Sequence, residues 1–202
     1  MDLIVATKNK KKFAEIKAIL KDLKLNLSSL ADIAHSPRIV ENGKTFQANA
    51  IKKARKLARF TGKLSMGEDS GLCVDALGGA PGIYSSRFSG KDKSDAKNNR
   101  KVLELLNGLP LNKRKAHYVC AVALADKHGL VGVVEGRCDG VIGFELKGGS
   151  GFGYDPLFII PKYKKTFAQL GEKVKHKMSH RYHALENARK IIKKYIEKQR
   201  RS

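Results

Sequence analysis

The residues with the clearest chemical potential are two acids and the lysines around them. Glu68-Asp69 closes a short apolar run that begins at Leu64 and precedes Ser70-Gly71, so the Asp69 carboxylate is expected at a strand end with little covering it. Glu41 lies on a separate polar stretch. Two carboxylates from different loops near lysines suit a magnesium–polyphosphate complex. Magnesium prefers oxygen ligands, takes one or two from protein and leaves the rest to phosphate and water. The competing reading is a pair of ordinary surface acids. Lys53 falls beside Ala50, Ala54 and Leu57 in a helical pattern, either turned partly off the solvent face or snorkelling along it.

Three further stretches carry possible ligand contacts. Thr7-Lys8-Asn9-Lys10-Lys11-Lys12 lies between a predicted strand and a predicted helix. Main-chain donors at a helix start attract anions, and a hydroxyl, an amide and ammonium groups add contacts to phosphate oxygens. The glycines and the Gly-Lys-Ser/Thr ending of a P-loop are missing, and Thr and Asn are equally ordinary caps. Gly148-Gly149-Ser150-Gly151-Phe152-Gly153-Tyr154-Asp155-Pro156 sets four glycines in six residues among Phe, Tyr and Asp. Such a loop lets backbone approach a flat ligand while an aromatic ring stacks on it, or it is a turn whose aromatics anchor it to the core. Ser179-His180-Arg181 opens the last predicted helix. Cations there run against the helix dipole, which hints at a ligand. Ser70, His180 and Asp155 make a hydrolase triad only on paper, because no GxSxG elbow accompanies them.

The elements that must position these residues follow from periodicity. Leu3–Ala6 reads as a buried strand, followed by a helix on which Phe13, Ile16, Ile19 and Leu20 recur. A second helix is predicted from about Lys44 to Arg59, with Phe46, Ala50, Ile51, Ala54, Leu57 and Ala58 on its apolar side and Gly62 as its stop. A short strand follows over Leu64–Asp69, then a long irregular loop between Gly78 and Gly90 and a helix over Asp95–Asn107. Tyr118–Ala125 and Leu130–Glu135 form the best hairpin, with a further strand at Val141–Phe144 and an apolar run at Leu157–Ile160. The terminal helix carries one stripe of Ala184, Leu185, Ala188, Ile191, Ile192, Tyr195 and Ile196. This alternation argues for an α/β fold with a mixed sheet.

Composition narrows the class. The chain has 202 residues, 41 Lys and Arg against 19 Asp and Glu, and a formal charge of +22, which favours polyanionic ligands. The basic residues are spread over many helices, and neither RNP-like stretches nor cysteine–histidine fingers are present, so a dedicated nucleic-acid partner is not expected. Three scattered cysteines, none in a CxxC pair, fit neither a disulfide scaffold nor a zinc site. No apolar run approaches a membrane span and no signal-like start is seen; a cytoplasmic location is expected.

Together these segments resemble the Ham1/RdgB family of inosine and xanthosine triphosphate pyrophosphatases. Its T-x-N-x-x-K element matches Thr7, Asn9 and Lys12. Its acidic-Gly-x-Thr-Phe-x-x-Asn-Ala-x-x-Lys-Ala segment corresponds to Glu41 through Ala54, and its central signature to Glu68-Asp69-Ser70-Gly71-Leu72 and Asp75 through Ser85. Gly151 through Pro156, Lys175 and Ser179-His180-Arg181 complete the series. The resemblance implies a single two-lobed domain over residues 1–202, with an elongated mixed sheet, flanking helices and a central substrate cleft. It also implies Mg2+-dependent hydrolysis of deaminated purine nucleoside triphosphates (ITP, dITP, XTP) to the monophosphate and pyrophosphate, and a homodimer.

By the same resemblance, Thr7 to Lys12, Lys53 and Ser70 hold the triphosphate. Glu41 and Asp69 manage magnesium, Asp69 also serves as catalytic base, and Phe152, Gly153, Tyr154, Asp155, Lys175, His180 and Arg181 contact the nucleotide. Arg181 or the Gly153 backbone is expected to donate to the 6-keto group that separates hypoxanthine from adenine. The chain departs from the pattern in Glu68 where aspartate is frequent, in Lys173-Val174 where two glutamates stand, and in Lys8 for a glycine. The rival readings are a Maf-like pyrophosphatase of dTTP or UTP and a non-enzymatic basic protein that binds nucleic acid.

Overall fold

The first strand alternates perfectly, and the alternation decides what lies on each face of the sheet. In a computed structural model that describes residues 1–201, β1 (Asp2–Val5) turns Leu3 and Val5 to one side and Ile4, with Ala6 beyond it, to the other. Helix α1 (Lys10–Ile19) packs Ile16 and Ile19 against the first face, and α2 (Phe46–Thr61) covers the second. The same division recurs in β4 (Lys115–Asp126), where Cys120, Val122 and Leu124 share a cluster with α1 while Ala121, Ala123 and Ala125 meet Ala50, Ala54 and Ala58 of α2. Alanine against alanine brings that helix close to the strands.

The sheet has seven strands in the order β2-β1-β3-β4-β5-β6-β7, completed by β2 (Asn26–Ser29), β3 (Ser65–Val74), β5 (Gly129–Ile142), β6 (Phe158–Ile160) and β7 (Lys165–Thr166). β1 runs parallel to β2 and β3, whereas β5–β6 and β6–β7 are antiparallel, so the expected mixed α/β sheet is present. The remaining helices are α3 (Asp95–Leu105), α4 (Phe167–Leu170), α5 (Glu172–Lys175) and α6 (His180–Arg201).

The chain forms two compact units. The first comprises residues 1–69, 120–136 and the segment from His180 onward; the second comprises residues 70–119 and 137–179. In the first, Ala184, Leu185, Ala188 and Ile192 of α6 are buried in the cluster shared with α1 and β1, and Ile191, Tyr195 and Ile196 are partly buried beside them. In the second, Leu72, Val74, Val102, Leu106, Ile142 and Leu157 surround Tyr118, Phe158 and Phe167, whose rings lie 4.6 Å (Tyr118–Phe158) and 5.5 Å (Phe158–Phe167) apart.

Several boundaries differ from expectation. β3 does not stop at Asp69 but continues to Val74, because Leu72 and Val74 keep the alternation and bury against the second core. The hairpin strands are longer than predicted, joined by Lys127-His128, and the separate strand expected at Val141–Phe144 is instead the end of β5. A 3-10 turn over Gly82–Arg87 occupies part of the stretch read as irregular. Helix α2 begins two residues later than predicted, at Phe46, because the Thr45 side chain accepts the Ala48 amide at 3.0 Å and caps it. It ends as expected at Gly62, in the left-handed conformation at φ 67°. β2, β7, α4 and α5 are too short to leave a periodic signal.

Candidate active site

Lys53 is the hub of the first unit. Its side chain lies on the buried stripe of α2, and its Nζ is 2.9 Å from Glu41 Oε2, 3.0 Å from Asp69 Oδ1 and 3.0 Å from the Glu68 carbonyl. Close passage of α2 over β3 makes this reach possible. A Cβ on Gly67 would stand 2.0 Å from the Ala50 carbonyl oxygen and 2.6 Å from the Ala54 nitrogen, so only glycine permits it. Asn49, one turn before Lys53, donates from Nδ2 to Asp69 Oδ2 at 3.0 Å. Asp69 is therefore gripped at both oxygens. Glu41, by contrast, is an open partner whose side chain is 40% exposed.

Glu68 faces a different environment. It is buried, and its Oε2 receives Lys12 Nζ at 2.8 Å while Oε1 receives Arg181 Nη2 at 3.0 Å and the Cys120 thiol at 3.3 Å. Arg181 Nη1 pairs with Glu15 of α1. Adjacent carboxyls consequently move in opposite directions. Burial would raise Glu68, but Lys12 and Arg181 reverse it and hold the group well below the usual glutamate range. At Asp69 burial outweighs Lys53 and Asn49 and keeps the carboxyl above the usual aspartate range. Lys53 is disfavoured by burial, yet Asp69 and Glu41 raise it, so it stays charged. The two neighbouring acids are thus driven apart, Glu68 toward a fixed anion and Asp69 toward easier protonation.

The Thr7–Lys12 segment forms a cap. Asn9 Oδ1 accepts the Lys12 amide at 3.1 Å, Thr7 Oγ1 accepts the Asn9 amide at 3.1 Å, and Lys8, Lys10 and Lys11 are exposed. Ser70 follows Asp69 in β3, half-buried. His180 and Arg181 are buried at the start of α6. The structure places both Arg181 Nη atoms on carboxylates, Glu15 on the inner face of α1 and Glu68 of β3.

In the second unit Asp155 accepts the Phe152 amide at 2.9 Å and Lys175 Nζ at 2.7 Å, and that ammonium lies 4.4 Å from the Phe152 ring centroid. Gly151, at φ 82°, leaves room for this turn, since a Cβ there would lie 2.2 Å from Asp155 Oδ2. Tyr154 anchors the turn to the core, its hydroxyl donating to the Ser85 carbonyl at 2.8 Å. The Gly153 amide donates to Asp95 at 2.8 Å, and its carbonyl accepts from Asn99 at 2.9 Å, so its donor is committed within the protein. Phe152 remains half-buried.

Sequence reasoning gave no role to Glu15, Asn49, Gly43, Gly67 and Cys120, although Gly43 and Asn49 lie on the motif that carries the resemblance. The signal was present for two of them. Glu15 and Asn49 interrupt apolar helical stripes, Ile16 and Ile19 in one case and Phe46, Ala50 and Ala54 in the other, and a polar group on an inner stripe needs a partner. Among the described residues no three of His, Cys, Asp and Glu are arranged to hold a metal ion by themselves. The donor set at Glu41 and Asp69, two hard carboxylates close enough to share one ammonium, nevertheless fits magnesium, which draws most of its shell from phosphate and water.

Comparison with known proteins gives a consistent result. The sequence profile of the Ham1 family matches residues 3–191. A dITP/XTP pyrophosphatase of Desulforamulus reducens is 48% identical over 192 residues, covering 95% of this chain and 96% of the relative. One of Exiguobacterium sibiricum is 45% identical, over 97% and 99%. A HAM1 protein of Coxiella burnetii has the same fold with a TM-score of 0.87 and 36% identity, covering 96% of this chain and 99% of that one. A nucleoside-triphosphatase / dITP/XTP pyrophosphatase of Mycobacterium abscessus gives 0.76 and 38%, over 93% and 97%.

Proposed function

The chain belongs to the Ham1 family, and on that premise we propose that it hydrolyses deaminated purine nucleoside triphosphates (ITP, dITP and XTP) to the monophosphate and pyrophosphate. It is an enzyme, a nucleoside triphosphate pyrophosphatase. The observation that carries the reading is the Lys53 ammonium shared by Glu41 and Asp69, with burial raising the Asp69 carboxyl.

Water attacks the α-phosphorus, its proton passes to an Asp69 oxygen, and the bond to the α–β bridging oxygen breaks with its electron pair leaving on pyrophosphate. Lys12 and Lys53, with the amides and exposed lysines of the Thr7–Lys12 cap, offset charge on the departing group. Glu41 and Asp69 are the residues that would hold Mg2+, which when bound neutralises phosphate charge as a Lewis acid. Ser70 contributes a hydroxyl to the phosphates. In the second unit the half-buried Phe152 ring is the surface for a purine, stiffened by Asp155 and Lys175. Arg181 would contact a base only with its guanidinium already anchored to Glu15 and Glu68. Family membership also supports a homodimer, which sedimentation would test. No helix is long and apolar enough to cross a membrane among the described residues.

A panel of ITP, XTP, ATP, dTTP and UTP, read for pyrophosphate with and without Mg2+, tests the proposal. ITP and XTP should be favoured over ATP by about 10- to 200-fold in kcat/KM, the discrimination that unpaired polar groups in a site supply. A preference for dTTP or UTP would point instead to the Maf-like reading.

A further inference from the structure

We propose that Asn49 is a positioning residue, an uncharged tether that holds the Glu41 segment in register with Asp69. The inference rests on the reading of Glu41 and Asp69 as the magnesium-side acids. Asn49 is 1% exposed, so both ends of its amide need partners. It finds one on each side of the site. Nδ2 donates to Asp69 Oδ2 at 3.0 Å, while Oδ1 accepts the main-chain amide of Gly43 at 2.8 Å. Gly43 stands two residues after Glu41 on a stretch without helix or strand that begins after Asp32 and ends at the Thr45 cap.

A second observation supports the pairing from the other direction. A Cβ on Gly43 would lie 2.7 Å from Asn49 Oδ1 and 3.0 Å from Ala48 Cβ, so the bare Cα is what lets the segment come within reach of the amide. The requirement is steric. Gly43 does not have the left-handed backbone that would favour glycine on its own account.

The tether has a role that Lys53 cannot fill. In this structure Lys53 holds the Glu41 side chain, but a polyphosphate competes for the same ammonium. When Lys53 turns to an anion, Glu41 loses its charge partner at the moment it is needed beside Asp69. The Asn49 amide carries no charge, so an incoming phosphate does not draw it away as it draws an ammonium. Two further ties on this stretch, Lys52 to Asn42 and Lys56 to the Arg38 carbonyl, are on the exposed side of the segment. Asn49 also fixes the Asp69 carboxylate plane, with Lys53 on Oδ1 and the amide on Oδ2.

Three variants test this. Asn49→Leu removes both bonds at similar volume, Gly43→Ala pushes the segment off while leaving Asn49 on Asp69, and Asn49→Asp keeps an acceptor for the Gly43 amide but faces Asp69 with a second carboxylate. Trypsin cleavage after Arg38 or Lys44, both exposed, reads the segment directly. Thermal unfolding on the same samples separates local release from global loss, and Gly43→Ala serves if Asn49→Leu does not fold. Mn2+ binding with a non-hydrolysable triphosphate, followed by electron paramagnetic resonance, reads the metal without turnover.

Asn49→Leu and Gly43→Ala should be cleaved faster and should weaken Mn2+ binding by roughly 10- to 100-fold, the usual cost of losing a group that orients a metal ligand. Asn49→Asp should keep near wild-type cleavage and lose kcat rather than raise KM. Unchanged cleavage and Mn2+ binding in folded Asn49→Leu and Gly43→Ala would overturn the proposal, as would Asn49→Asp being cleaved as fast as Asn49→Leu. If the wild type releases no pyrophosphate from any triphosphate, the catalytic reading fails while the cleavage rates still judge the tether.

Discussion

Lys53 and Lys175 each pair with an aspartate inside the protein, one in each compact unit, and they differ in what surrounds the pair. Lys175 and Asp155 are both nearly sealed, with side chains 3% and 2% exposed. Lys53 and Asp69 are buried too, but their third partner Glu41 opens to solvent. A sealed pair satisfies itself and stiffens what carries it, here the Phe152–Asp155 turn. An open one can exchange a partner for an arriving anion or cation. On the proposed function, the contrast separates a pair that holds shape from a pair that takes part in the chemistry.

The largest effect that would break this distinction is catalytic. Asp69→Asn should lower kcat by ~10³-fold or more while nucleotide still binds, the size expected when a base and an electrostatic contribution are lost together. Single-turnover rates beside equilibrium binding of the nucleotide make the measurement. Near-normal turnover would remove Asp69 from the chemistry and with it the meaning given to the open pair.

Next in size is a stability difference between the two lysines. Lys175→Met leaves Asp155 buried without its ammonium and should cost about 3–5 kcal/mol in urea unfolding at neutral pH. Lys53→Met should cost less than half as much, because Glu41 is open to solvent and Asp69 keeps the Asn49 amide as a second partner. The sign of the pH dependence follows. A carboxyl raised above its unfolded value of 3.8 favours the fold while protonated, so the penalty in Lys53→Met should grow as pH rises through that raised value. Equal losses in the two variants, independent of pH, would erase the contrast.

These two regions were not equally legible in the sequence. α2, the terminal helix and the central hairpin follow from periodicity and caps, since Ala50, Ala54 and Leu57 or Ala184, Leu185 and Ala188 repeat at helical spacing and bury as that spacing predicts. Glu41, Lys53 and Asp69 stand out by type and motif, and the structure brings all three together. The identity of the partners did not follow. That Arg181 is taken by Glu15 and Glu68 depends on a pairing 166 residues apart in the chain, which local pattern does not encode. The commitment of the Gly153 amide to Asp95 is another long-range pairing. Glycines 43 and 67 matter through what approaches them, and a bare Cα in a sequence does not say what will.

The smallest effect is the most specific to the open pair. Glu41→Gln keeps the size of the side chain and its ability to hydrogen-bond Lys53 while removing the charge. Stability should change little, because this acid is open to solvent at 40% exposure and its ion pair contributes at most about 1 kcal/mol. Magnesium should respond instead. A neutral amide oxygen is a poorer ligand than a carboxylate for a hard divalent cation, and half-activation should need about tenfold more Mg2+, with kcat recovered at saturation. A titration of pyrophosphate release against Mg2+ at fixed ITP resolves the two cases. A rise in the Mg2+ requirement with full kcat places Glu41 on the metal side of the site. An unchanged requirement with reduced stability makes Glu41 only a clamp on Lys53, and the pair in the first unit would then be as structural as the one in the second.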